Sequence, residues 1–95
     1  TIDRNISGVT VIPNIFVGNT TIHWIMPEQG RCTVTVFDFQ GRVIKTMFAA
    51  ESGEGLQQLV WHADDAKGNP ARPGIYFIRL QTGNTVETKK CVITR

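Results

Sequence analysis

The stretch Pro73-Gly74-Ile75-Tyr76-Phe77-Ile78-Arg79-Leu80 alternates around the chain's one tyrosine. Successive side chains of an extended strand point to opposite faces. Tyr76, Ile78 and Leu80 therefore share one face, and Ile75, Phe77 and Arg79 the other. The first set is expected inward. Tyr76 follows a Pro-Gly launch and stands where a corner tyrosine opens the sixth strand of a two-sheet sandwich, its hydroxyl bonded back to loop backbone. A buried phenol lacking that partner costs about 1–3 kcal/mol. Upstream, Trp61-His62-Ala63-Asp64-Asp65-Ala66-Lys67-Gly68 ends a strand in an acidic turn. Downstream, Lys89-Lys90-Cys91-Val92-Ile93-Thr94-Arg95 closes the sequence with a basic, apolar strand.

The same period of two runs back toward the start. Val9 and Val11 alternate before Pro13-Asn14. Ile22, Trp24 and Met26 alternate with Thr21, His23 and Ile25, and Cys32, Val34 and Val36 with Thr33, Thr35 and Phe37. Such patterns mark strands with one buried face, and no segment sustains a helical period with caps. Turn residues fall at the spacing of a sandwich: Pro27-Glu28-Gln29-Gly30, Asp38-Phe39-Gln40-Gly41 and Gly83-Asn84. Ala49 to Gly55 reads as a loose connection, and Leu56 to Trp61 as the fifth strand. The expectation is an all-β, seven-stranded antiparallel sandwich of immunoglobulin-like order.

Ninety-five residues make one domain with one modest core. An apolar fraction of 41% supports a globular chain, and a net charge of +2 is too small a bias to imply nucleic acid or an anionic membrane. No apolar run approaches the ~18 residues of a membrane span, and no signal peptide opens the sequence. Thr1-Ile2-Asp3-Arg4-Asn5 reads as a linker end, so the expected organisation is a linker over residues 1–6 and a domain over 7–95, cut from a larger protein.

The residues offer little to catalysis, and the chain is expected not to be an enzyme. His23 and His62 stand alone, without the spacing of a metal site. Ser7 and Ser52 lack a nucleophile-elbow context, and no glycine-rich phosphate loop joins a strand to a helix. No cofactor and no metal are expected. Asp64, Asp65 and Asn69 supply oxygens suited to calcium, but without a calcium-loop spacing. Such residues commonly make turns to their own backbone. Trp24 and Trp61 admit a sugar-binding reading, although Trp24 has core parity and Trp61 closes a strand. Cys32 and Cys91 are either two small buried hydrophobes or a bridge across a long loop; a strand lying between them excludes the bridge. Asn5-Ile6-Ser7 and Asn19-Thr20-Thr21 match the glycosylation triplet, and both are read as chance.

One surface feature stands out. With Tyr76 inward, Ile75, Phe77 and Arg79 face out, and Phe37 has outward parity on a strand expected to neighbour theirs. Together they form a candidate docking patch for a receptor or for the parent protein, or else a partly covered sheet face.

The ordered motifs resemble the C-terminal sorting domains of proteins exported by the type IX secretion system of Bacteroidetes-type bacteria. Ile12-Pro13-Asn14-Ile15-Phe16 looks like the family's opening, although Ile15 stands where proline is usual. Pro27-Glu28-x-Gly30, then Val34-x-Val36-Phe37-Asp38-x-x-Gly41-Arg42, looks like its central hairpin. Trp61, Asp65, Gly68 and Gly74-x-Tyr76 match its late motifs, and Lys89-Lys90-Cys91-Val92-Ile93 its terminal strand, with Cys91 where methionine is frequent. The immunoglobulin-like domain of the flagellar hook-capping protein carries a similar second half.

The resemblance implies a domain that acts by being recognised. Its partners would be an N-terminal parent protein, the outer-membrane translocon and a sortase-like surface peptidase. Its path would run through the periplasm to the cell surface or the medium. Gly74, Tyr76, Lys89, Lys90, Val92, Ile93 and Arg95 are the candidate recognition residues. Lys89, Lys90 and Arg95 act as a charged label on a terminal edge strand or as guards against aggregation. Strand exchange between copies, at an exposed first or last strand, is a further expectation. An accessory immunoglobulin-like module of a surface enzyme or of a hook-capping protein, or a carbohydrate-binding module, are the competing readings.

Overall fold

The computed structural model describes residues 8–83 and 85–94. The linker expected over residues 1–6, Asn84 of the last turn and the recognition candidate Arg95 lie outside them. Eight strands follow in order: β1 (Thr10–Ile12), β2 (Ile15–Phe16), β3 (Thr20–Met26), β4 (Gly30–Asp38), β5 (Val43–Ser52), β6 (Gly55–Trp61), β7 (Gly74–Thr82) and β8 (Thr85–Ile93). They form a three-stranded sheet, β1-β3-β6, and a five-stranded sheet, β2-β8-β7-β4-β5. This is the expected immunoglobulin-like sandwich with no helix among the described residues.

Two expectations need correction. The first strand is divided, giving eight strands where seven were expected. The chain leaves β1 in one sheet, crosses at Pro13-Asn14 after a cis Ile12-Pro13 bond, and continues into the other. Because it keeps its heading, β2 pairs parallel with β8, Ile15 against Val92 and Phe16 against Ile93, in an otherwise antiparallel fold. The second correction concerns Ala49 to Gly55. β5 continues to Ser52 because its far half pairs with β4 in unbroken register, Ala49 with Thr33 and Ser52 with Gly30. Alanine and glutamate are poor strand formers, and tertiary pairing overrides their preference.

The alternation buries what it should. Ile22, Trp24, Met26, Cys32, Val34 and Val36 lie in the core between the sheets. Trp61 fills one end of the sandwich. It is 0% exposed, meets Phe16 and Tyr76 edge-on with ring centroids 5.8 and 5.5 Å away, and donates Nε1–H to the Asp64 carbonyl at 2.9 Å. A side chain of that size, so enclosed, contributes about 3–5 kcal/mol against truncation to alanine. Both tryptophans are thus spent on packing, and neither is an outward sugar platform.

The cysteines are free and buried. Cys32 on β4 faces Thr82, Cys91 on β8 faces Tyr76, and β7 runs between them. Two strand spacings, about 10 Å, plus the distance along β7 from Tyr76 to Thr82 exceed the roughly 7 Å that a bridge tolerates.

Candidate functional site

The corner tyrosine is built as its spacing predicts. Tyr76 is buried and its hydroxyl donates to the Arg72 carbonyl at 2.6 Å. Burial, followed by the charge of Asp38, pushes the phenol's pKa up, so it stays a donor. Gly74, at the start of β7, has φ +150, and nothing approaches the place a Cβ would occupy. Its requirement is therefore one of backbone freedom.

The acidic turn binds its own backbone. Asp65 Oδ1 accepts from the amides of Lys67 and Asn69, each at 2.9 Å. Asp64 pairs with Lys45 at 2.9 Å. Among the described residues no cluster of His, Cys, Asp or Glu could hold a metal. The central hairpin repeats the device: Asp38 Oδ1 accepts from Gln40 and Arg42, each at 2.9 Å. In both turns the amide of the aspartate donates to the carbonyl four residues on, at 2.9 Å, and the glycine amide donates to the aspartate carbonyl at 3.0 Å.

Register brings the two groups of candidate residues onto one surface. Phe37, Phe77 and Lys90 lie in one row across β4, β7 and β8. Ile75 and Val92 form the next row, continued by Ile15 on β2. Arg79 lies over the Phe37 ring with Cζ 4.5 Å from its centroid. At an exposed site such a pair contributes about 0.5–1 kcal/mol and holds the guanidinium over the ring. Phe37, Ile75, Phe77 and Val92 are half-buried, because each shields the next, while Arg79 and Lys90 are exposed.

Ile15 and Val43, each 59% exposed, extend the patch at its two edges. Neither was singled out from the sequence. The signal for Ile15 was its parity opposite the inward Phe16; Val43 follows from its pairing with Phe37, which only the hairpin register reveals.

The remaining candidates lie elsewhere. Tyr76 and Ile93 are in the core, and Gly74 opens a strand. Lys89 shares Cys91's parity on β8 but is exposed, near the seam with β1. The tail is less open than a terminal edge strand was expected to be. Val92 N–H donates to the Asn14 carbonyl at 2.7 Å and Thr94 N–H to the Phe16 carbonyl at 2.8 Å. Thus β2 covers the backbone of Val92 and Ile93, and strand addition has no free edge there. The reason is the sheet crossing at Pro13, which carries the chain into the other sheet beside β8.

A family model described as the FlgD Ig-like domain matches residues 14–86, well over half of the sequence. The chain belongs to the FlgD Ig-like domain family. No curated protein matches it significantly.

Three solved structures share the fold of this FlgD Ig-like domain. Dimeric latent PorU from Porphyromonas gingivalis aligns with a TM-score of 0.77 at 18% identity, over 90% of this chain and 9% of PorU. PorZ from the same organism, described as an essential bacterial surface component of the type-IX secretion system, aligns at 0.63 and 22%, over 93% of this chain and 12% of PorZ. FlgD from P. aeruginosa aligns at 0.63 and 22%, over 94% of this chain and 74% of FlgD. This domain therefore spans about a tenth of PorU and of PorZ. At these identities the likeness is one of fold.

Proposed function

We propose that this domain is a C-terminal sorting domain of the type IX secretion system. In this reading it is a folded label without chemistry of its own. The outer-membrane translocon reads it, and it directs an N-terminal parent protein through the periplasm to the cell surface or the medium, where a sortase-like peptidase acts on the segment before it.

The observation that carries the reading is the ordered set of motifs from Ile12-Pro13-Asn14 to the Lys89–Ile93 strand, resembling that family. Two further observations support it. The outward face of β7 and β8 gathers Phe77, Ile75, Val92, Arg79 and Lys90 on one cationic, apolar surface. Contiguous patches of this kind mark partner sites more often than scattered hydrophobes do. The fold also recurs in PorU and in PorZ, a surface component of that secretion system.

The test is to fuse the chain to the C-terminus of a periplasmic reporter in a type IX-competent bacterium. The wild-type domain is expected to carry the reporter to the surface or the medium. Phe77→Ser with Lys90→Glu is expected to reduce export at least roughly tenfold, as loss of a central aromatic anchor and its charge does at other interfaces. A thermal melt of the isolated variant checks that the fold survives. Retention of the wild-type fusion in the periplasm sinks the proposal.

The accessory-module reading has one observation in its favour. The family match ends at residue 86 and so leaves out most of β8, where the sorting motif lies. Under that reading the fusion stays in the periplasm whatever the state of Phe77 and Lys90.

A further inference from the structure

Among the described residues the two sheets end at β1 and β6, and at β5 and the β2/β8 side, and three of these four edges are defended. β1 is three residues long and is followed by Pro13. β5 carries Lys45 and Glu51, and its pairing with β4 slips at Val34/Thr35 and again at Val36/Phe37. β8 is covered by β2 at its end and carries Glu87, Lys89 and Lys90 along the rest. Short length, proline, charge and bulges are the usual means of keeping an edge from pairing.

β6 has none of them. Gly55-Leu56-Gln57-Gln58-Leu59-Val60-Trp61 holds no charge and no proline. It pairs with β3 from Gly55 to Trp61 without a slip, and its second edge meets no strand among the described residues. Leu56 is 67% exposed and Val60 42%.

The strand is also complementary to itself. Two antiparallel copies related by a two-fold axis through Gln58 overlap along the whole of β6. In that register Leu56 of each copy faces Val60 of the other, and Gln58 faces Gln58. Glu54 and His62, both exposed, flank the two ends of the strand, so the two-fold brings the acidic end of each copy alongside the imidazole end of the other. Each copy then extends an apolar row across the seam. Ile25 pairs with Leu56 on one side, and Val60 with Thr21 and Ile12 on the other. Ile12 and Ile25 are themselves 57% and 43% exposed. Backbone hydrogen bonds supply the attraction, and matched side-chain pairs set the register.

We infer that the free edge of β6 is a self-association site, at which two copies of this chain join antiparallel about Gln58 into one continuous six-stranded sheet. The inference stands independently of sorting, and its test involves no export.

Sedimentation velocity of the 95-residue chain over a series of concentrations is expected to show a monomer–dimer equilibrium. Leu56→Lys with Val60→Lys, and Leu56→Glu with Val60→Glu, are each expected to weaken the dimer at least roughly tenfold through like charges facing across the seam. Mixing the two variants is expected to restore a heterodimer. All four substitutions fall on exposed side chains, and circular dichroism checks the fold. Hydrogen exchange on the wild type needs no substitution, and protection of β6 amides is expected to rise with concentration. A chain that stays monomeric at every concentration, a charged variant that dimerises as well as the wild type, or β6 protection independent of concentration each overturns the inference.

Discussion

Asp38 and Asp65 hold two turns with the same bonds. In each, one carboxylate oxygen accepts from the amides two and four residues on, and glycine closes the turn at φ +86 or +87. The backbone amide of Arg42 does most to hold the Asp38 carboxyl below its usual 3.8, and that of Asn69 does the same for Asp65. A carboxyl whose pKa is depressed by folding contributes stability that is complete above the unfolded value and is lost as pH falls through the folded one. Both turns should therefore weaken below about pH 4. Asparagine keeps an acceptor oxygen but does not titrate. The Asp38→Asn/Asp65→Asn double variant should lose less stability than the wild type between pH 7 and pH 3, measured as the shift in urea midpoint. An acid loss equal to the wild type's would place the sensitivity elsewhere. The Asp-x-x-Gly pattern of both turns was legible in the sequence because each is closed by bonds local to the chain. Lys45 as the partner of Asp64 was not, because that pair joins β5 to a distant loop.

At the scale of elements, β2 is two residues long yet fixes the end of the molecule. Its parallel pairing and the bonds from Val92 and Thr94 seal the last turn of backbone, while Phe16 packs against Trp61. Phe16→Ala removes that anchor at a cost of about 3 kcal/mol or more. The Val92 and Thr94 amides should then exchange much faster, while amides in the middle of β4 and β7 keep most of their protection. Uniform acceleration across the fold would show β2 to be one cooperative unit with the core. The seven-residue alternation of β3 was readable because one buried face repeats every second residue. Neither β2 nor the far end of β5 announced itself. β2 is too short to show a period, and Ala49-Ala50-Glu51 has no strand preference apart from its pairing with β4.

For the whole molecule, the two-sheet packing decides the state of the thiols. β7 separates Cys32 from Cys91, and burial pushes the Cys91 pKa to about 11 and raises that of Cys32. At pH 8 roughly a thousandth of Cys91 is thiolate, and it lies 1% exposed in the core. An Ellman titration should find almost no fast-reacting thiol in the native chain and both thiols once it is denatured without reductant. Silent thiols after denaturation would mean a bridge and a different sheet order. The same packing merges the candidate site. Phe37 and Lys90 lie far apart in sequence, yet they share a row because β7 pairs with both β4 and β8.

Period and turn chemistry in the sequence were enough for the sandwich, its core residues, the tyrosine corner and the two aspartate turns, since each depends on neighbours within a few residues or on which face of a strand is apolar. Beyond the hairpin partners and the expected neighbourhood of the Phe37 and Phe77 strands, which strands lie side by side came from three-dimensional packing. It joined Val92 and Lys90 to the aromatic patch, closed the tail edge with β2, held the thiols apart and left β6 unguarded. Pairing between distant strands depends on how the two sheets cover one another's apolar faces, and no stretch of local sequence encodes that.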